Sequence, residues 1–242
     1  MLAIAFEGCA CRAAFHAGVS AALADAGIGF TLAAGSSSGS LCAAGVAAGR
    51  APQMPGIWRN LAGRSVFSWR RALWNRSVFD MSHLVRTTLR QVFGSLDLRR
   101  GPGEALVVAT RARDLRPVVY SSRAEPELLD PLMGSCFFPV LYGRPVRVRG
   151  ELLLDGGLTD NLPLDALAAR GATEIIAVVT SPEGTAIKTP LRRRWRPAVP
   201  GVRLHVIHPR RPLRVRSWDF DPDHLAHAID EGYARGREFV GG

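Results

Sequence analysis

Ser37 and Asp155 are the residues whose neighbours best suit them to chemistry. Ser37 is the centre of Gly35-Ser36-Ser37-Ser38-Gly39, a G-x-S-x-G pentapeptide. Such a pentapeptide puts a serine on a sharp turn between a strand and a helix, with glycines where side chains would crowd the backbone and block the hydroxyl. Asp155 opens Asp155-Gly156-Gly157, directly after Leu152-Leu153-Leu154. Three leucines followed by Asp-Gly-Gly read as a buried strand ending in a turn, which aims a carboxylate at the end of a sheet. A serine hydroxyl is a poor nucleophile until a neighbouring base takes its proton. Aspartate, with a reference pKa of about 3.9, is a weak base in water. Burial beside apolar residues such as Leu152, Leu153, Leu154 and Leu158 would raise that value and improve the match.

A third stretch bears on the same chemistry. Gly8-Cys9-Ala10-Cys11-Arg12-Ala13 follows the apolar run Leu2-Ala3-Ile4-Ala5-Phe6 and precedes an apolar helix. A loop feeding a helix N-terminus offers unpaired backbone N–H groups, which makes it an anion site. In an acyl-transfer enzyme that anion is the oxyanion of the tetrahedral intermediate. A plain strand–helix connection is the alternative reading of these residues.

Together the three stretches resemble the patatin-like phospholipase family, in the family's order and over most of the chain. The resemblance implies that Ser37 is the nucleophile and that Asp155 completes a Ser–Asp dyad without histidine. It also implies an oxyanion and substrate-binding set of Gly8, Cys9, Ala10, Arg12 and Ser38, with Arg12 as the loop's basic residue. Gly134-Ser135-Cys136-Phe137-Phe138-Pro139 and Asn161-Leu162-Pro163 are weaker echoes of the family's pattern. The implied activity is cleavage of carboxylic esters of phospholipids or lysophospholipids through an acyl-enzyme, with no metal or organic cofactor. A thioesterase or acyltransferase acting on CoA- or carrier-bound acyl groups is an alternative. So is a homologue that binds lipid or a partner without catalysis. The family's loop normally carries three glycines and another after the basic residue, whereas Cys9, Ala10 and Ala13 stand here. A Cβ leaves the N–H donors in place but costs roughly 1–2 kcal/mol at each residue held left-handed.

The elements that must position these residues alternate between strand and helix. Strands are expected near 2–6, 30–34, 105–110, 117–121, 151–154, 175–180 and 202–207, and helices near 13–26, 38–49, 81–93, 125–133, 163–170 and 222–238. The pattern predicts an α/β fold, a three-layer α/β/α sandwich around a mainly parallel central sheet, formed by one domain over residues 1–242. Residues 50–80 and 181–200 are the least regular stretches, and 50–80 is a candidate cap over Ser37.

Composition narrows the partners. The chain carries a formal net charge of +10, from thirty arginines and the single lysine Lys188. Residues 188–196 and 210–216 are arginine-rich, and residues 50–80 interleave Trp58, Phe67, Trp69, Trp74 and Phe79 with Arg59, Arg64, Arg70, Arg71 and Arg76. Arginines among aromatics suit peripheral contact with an anionic membrane or a phosphate-bearing carrier. No nucleic-acid motif accompanies them, so nucleic acid is not an expected partner. Apolar runs are too short and too interrupted to cross a bilayer, and no secretory leader is visible. Four cysteines, Cys9, Cys11, Cys42 and Cys136, are expected as reduced thiols in a cytoplasmic setting, with a reactive thiol at Cys9 or Cys11 as the sharper possibility. His205 and His208 follow Asp155 in the order a hydrolase triad would need, yet all six histidines are expected in packing or surface roles.

Overall fold

A computed structural model of the chain describes residues 1–61, 97–139, 145–187 and 194–242. The helix expected near 81–93, His83, residues 62–80 of the candidate cap and residues 188–193 lie outside them.

Strand β1 (Leu2–Phe6) occupies the centre of the sheet, between β2 (Leu32–Ser36) and β7 (Glu174–Val178). Its alternation explains the position. Ile4 and Phe6 enter a core with Phe15 and Ile176 on one face, while Ala3 and Ala5 enter another with Leu167 and Ile175. A strand buried on both faces needs apolar residues throughout, as Leu-Ala-Ile-Ala-Phe supplies. With β3 (Glu104–Arg111) beyond β2 and β10 (Arg203–Ile207) beyond β7, five strands run parallel.

The far side of the sheet is antiparallel. Strand β4 (Arg116–Ser121) covers one edge of β3, and β6 (Glu151–Leu154) pairs with the other edge through Thr110 and Arg111. Strand β5 (Val146–Val148) joins β6 by a two-residue turn in which Arg149 and Gly150 both have positive φ, 53° and 82°. That is the backbone sense that matches strand twist in tight hairpins. The result is a mixed, mostly parallel sheet of eight strands among the described residues, ordered β10-β7-β1-β2-β3-β6-β5 with β4 on β3. A separate pair, β8 (Ala186–Ile187) with β9 (Arg194–Trp195), packs Trp195 under the sheet.

Helices flank both faces. On the first lie α1 (Ala14–Asp25), α2 (Ser38–Ala47), the short α3 (Met54–Arg59), α4 (Leu129–Ser135) and α6 (Pro222–Gly241); the second carries α5 (Leu164–Ala168). Asp221 caps α6 by accepting from the N–H groups of Asp223 and His224. Two expectations need adjusting. Helix α4 starts at Leu129 rather than near 125, because Pro126 disfavours helical backbone at Glu125, whose carboxylate instead pairs with Arg149. The start of the 50–80 stretch is helical, with Pro52 and Pro55 in first-turn positions that tolerate the missing N–H.

Candidate active site

Registers bring the sequence-selected stretches to one end of the sheet. Phe6 lies opposite both Gly35 and Val178, so the loop after β1 and the turn after β2 leave the sheet side by side. Strand β2 ends at Ser36 opposite Val108, while the antiparallel β6 ends at Leu154 opposite Thr110. Both strands lie on the same edge of β3, since β4 fills the other. They therefore meet head-on, and the residues that follow them are Ser37 and Asp155.

Ser37 has φ 51° and ψ −129°, a strained conformation for a residue with a Cβ. Close packing holds it there. A Cβ on Gly35 would lie 2.2 Å from the Gly39 carbonyl oxygen, and one on Gly39 would lie 2.5 Å from that of Phe6. Both glycines are thus required by contact rather than by a left-handed φ. The Ser37 N–H donates to Ser135 Oγ at 2.9 Å, and Ser135 Oγ–H donates to the Val108 carbonyl at 2.6 Å. One serine thereby ties the turn to β3.

Ser37 Oγ–H donates to Asp155 Oδ2 at 2.7 Å, and the Gly157 N–H donates to Oδ1 at 2.8 Å. The Asp155 backbone is pinned as well, its N–H to the Phe137 carbonyl at 2.6 Å and its carbonyl by Thr110 Oγ1–H at 2.8 Å. Burial raises the carboxyl to a pKa of about 6, against the lowering effect of the hydrogen bonds from Ser37 and Gly157. At that value the group is ionised near neutral pH and basic enough to take a proton.

The loop after β1 is clamped to the same place. The Gly8 N–H donates to the Asn161 carbonyl, and Asn161 Nδ2–H donates back to the Gly8 carbonyl, both at 3.0 Å. The Cys9 N–H donates to Ser38 Oγ at 3.2 Å. Of the three residues that replace glycine, only Ala10 is left-handed, with φ 53°; Cys9 has φ −152° and Ala13 φ −65°. Among the described residues the N–H groups of Ala10 and Ser38 donate to no protein acceptor, whereas those of Gly8 and Cys9 are taken. Ala10, Ser38 and Arg12 border a cavity of about 360 Å³ that opens over Ser37 and Asp155. Its apolar wall includes Leu41, Trp58, Leu61, Phe138, Leu158 and Phe220. Trp58, expected at a lipid interface or on the sheet, is buried in this wall, while Arg59 reaches Asp230 on α6.

The remaining candidates fall elsewhere. His16 is fully buried against Phe6 and Phe15, and desolvation lowers its pKa to about 3. His205 pairs with Glu174 and His224 with Asp219; neither contact involves Ser37. All four thiols are buried. Desolvation pushes Cys11 and Cys42 up to about 12 and Cys9 well above the ordinary value, so they stay protonated at neutral pH. Three residues of the site carry no role in the sequence reading: Thr110, Ser135 and Asn161. Ser135 and Asn161 sit inside segments that stood out as family echoes, but nothing in a sequence shows which backbone group a serine or asparagine will satisfy.

A sequence model described as patatin-like phospholipase matches residues 4–168 of the 242. The chain belongs to that family. The match spans the loop after β1, the turn at Ser37 and the Asp155-Gly156-Gly157 turn. The mouse (Mus musculus) protein named 1-acylglycerol-3-phosphate O-acyltransferase Pnpla3 is 40% identical over 67 residues, which are 26% of this chain and 16% of the mouse protein. The crystal structure of VipD from Legionella pneumophila superposes with a TM-score of 0.58 at 12% identity, over 99% of this chain and 66% of VipD. That likeness is one of fold. This patatin-like chain thus spans a small part of the mouse protein's length and about two thirds of VipD's.

Proposed function

We propose that this protein is a serine acyl hydrolase that cleaves carboxylic esters of phospholipids or lysophospholipids with a Ser37–Asp155 dyad. The observation that carries the reading is the 2.7 Å hydrogen bond from Ser37 Oγ to Asp155 Oδ2 at the floor of an apolar-walled cavity. Ser37 Oγ attacks the ester carbonyl carbon while Asp155 takes the hydroxyl proton. The oxyanion forms beside the unclaimed N–H groups of Ala10 and Ser38, at the start of α2, whose dipole also favours negative charge. Collapse breaks the C–O bond to the alcohol, which leaves with the proton from Asp155. Water then attacks the acyl-enzyme, giving its proton to Asp155, and release of the fatty acid returns that proton to Ser37. Gly8 and Cys9 hold the loop in register in this reading, and their own N–H groups do not meet the substrate.

Labelling of wild type and Ser37→Ala by a fluorophosphonate probe, with hydrolysis of a short-chain nitrophenyl ester alongside, tests the proposal. Labelling and turnover should both vanish in the variant. A folded wild type that shows neither would refute the reading and favour a lipid- or partner-binding homologue.

The mouse relative's name favours a second reading, in which an alcohol replaces water as acceptor and the acyl group is transferred. Product analysis in the presence of lysophosphatidate separates transfer from hydrolysis. For access to lipid, no helix among the described residues is long and apolar enough to cross a membrane. Trp218, 46% exposed at the cavity, and the exposed Arg211 and Arg214 a few residues before it in the chain suit peripheral contact with an anionic surface at the cytoplasmic face.

A further inference from the structure

Beside the Ser37 cavity lies a second one of about 360 Å³, bordered by Arg12, Arg194 and Arg216 with Thr180, Glu183 and Ser217. Arg12 and Ser217 border both cavities, so the two adjoin. Three arginines border the second cavity against one carboxylate, and that carboxylate is engaged. Glu183 accepts from Ser181 Oγ and pairs with Arg194 at 3.3 Å. Arg12 makes a single long contact through Nε, to the Cys9 carbonyl at 3.5 Å. Among the described residues the Arg216 side chain donates to no protein group. The wall that carries Thr180 is fixed to the loop after β1, because the buried Glu7 carboxylate accepts from the Thr180 N–H at 3.0 Å and from the Ile187 N–H at 3.2 Å.

Guanidinium groups are planar forks that match phosphate oxygens in pairs, and the largely unused forks of Arg12 and Arg216, beside the Arg194 that Glu183 and Ser181 already engage, favour an anion at this concave surface. Arg194 and Arg216 lie beyond residues 4–168, outside the part of the chain that the family match covers. We propose that this second cavity holds a phosphate group carried by the same molecule whose acyl group reaches Ser37. The inference rests on the acyl-hydrolase reading and extends it. Arg12, on the dividing wall, would then face the phosphate while the adjoining backbone faces the carbonyl. The phosphate could belong to a glycerophospholipid headgroup or to a CoA-type thioester, and the chemistry recognised is the same.

Wild type and Arg216→Gln would be compared on three substrates with one acyl chain: dodecanoyl lysophosphatidate, dodecanoyl-CoA and monododecanoylglycerol. The readout is kcat/KM for each phosphate-bearing substrate divided by that for the uncharged ester. For one of the two, that ratio should fall about tenfold in Arg216→Gln, as expected on losing one charge-assisted hydrogen bond at an open site, and further in Arg216→Glu. The substrate that shows the fall identifies the source of the phosphate. Unchanged ratios for both overturn the proposal, as does a wild type that cleaves only the uncharged ester. A wild type that cleaves none of the three fails the acyl-hydrolase reading instead. The cavity is then judged by calorimetry with glycerol 3-phosphate: binding that Arg216→Glu abolishes supports a phosphate site, and no binding to wild type overturns it.

Discussion

Replacing Asp155 by asparagine should make the protein more stable at neutral pH while abolishing turnover. A carboxyl with an ordinary value of 3.8 is held at about 6 here by burial. Folding therefore favours its protonated form, and the ionised form carries a penalty. A gap of about 2 pH units at about 1.4 kcal/mol each gives a cost of about 3 kcal/mol. Asp155 borders a cavity rather than a sealed core, so solvent screens part of that cost and about 2 kcal/mol is the working figure. Asparagine removes the charge and keeps both contacts, its oxygen accepting from Gly157 and its amide donating to Ser37 Oγ. Because the folded value lies above the unfolded one, the penalty is absent below pH 4, grows between 4 and 6, and is complete above 6. Urea denaturation of wild type and Asp155→Asn at pH 4 and pH 7.5 measures it. The variant should gain about 2 kcal/mol at pH 7.5 and almost nothing at pH 4. A variant less stable than wild type at pH 7.5, or an equal difference at both pH values, would show that burial does not set the state of this carboxyl.

The same ionisation should govern rate. If Asp155 is the base, kcat/KM for a neutral ester should rise about tenfold per pH unit below its pKa and level off above about 6; a midpoint below 5 would contradict the burial argument. Gly39→Ala should cost at least about 2 kcal/mol, because the new methyl would lie 2.5 Å from a backbone oxygen of the central strand and α2 would have to move. Thermal unfolding reports the loss, and an unchanged Tm would mean that the turn has slack which the geometry does not show.

Much of this architecture is legible in the sequence because the informative signals are local. Leu2-Ala3-Ile4-Ala5-Phe6 can satisfy two apolar faces only in a central strand, and the glycines around Ser37 mark a turn too tight for side chains. The antiparallel strand β5 escaped the reading since Val146-Arg147-Val148 is short and its turn uses Arg149, not the usual Asn or Gly, at a positive φ. Arg194-Trp195 was hidden for another reason. Inside a basic run it reads as a solvated surface, whereas in the fold Trp195 packs beneath the sheet. Ser135 and Asn161 depend on contacts between residues 98 and 153 positions apart, which no window of sequence contains.

Histidine triads spend a third residue on orienting the base. In the proposed dyad the strand register does that work. Strands β2 and β6 approach each other along one edge of β3, and Thr110, at the end of their gap, bonds the Asp155 carbonyl while β6 pairs with its backbone. The carboxylate is aimed by hydrogen bonds at three points: the Asp155 N–H donates to the Phe137 carbonyl, Thr110 Oγ1–H donates to the Asp155 carbonyl and the Gly157 N–H donates to Oδ1. Glycine at 156 is part of this device, since a Cβ there would lie 2.1 Å from the Val108 carbonyl oxygen and push the turn off the sheet. A carboxylate so fixed already lies within hydrogen-bond reach of Ser37, so the proposed dyad calls for no imidazole. The raised pKa that the proposed base calls for comes from burial at the end of the sheet.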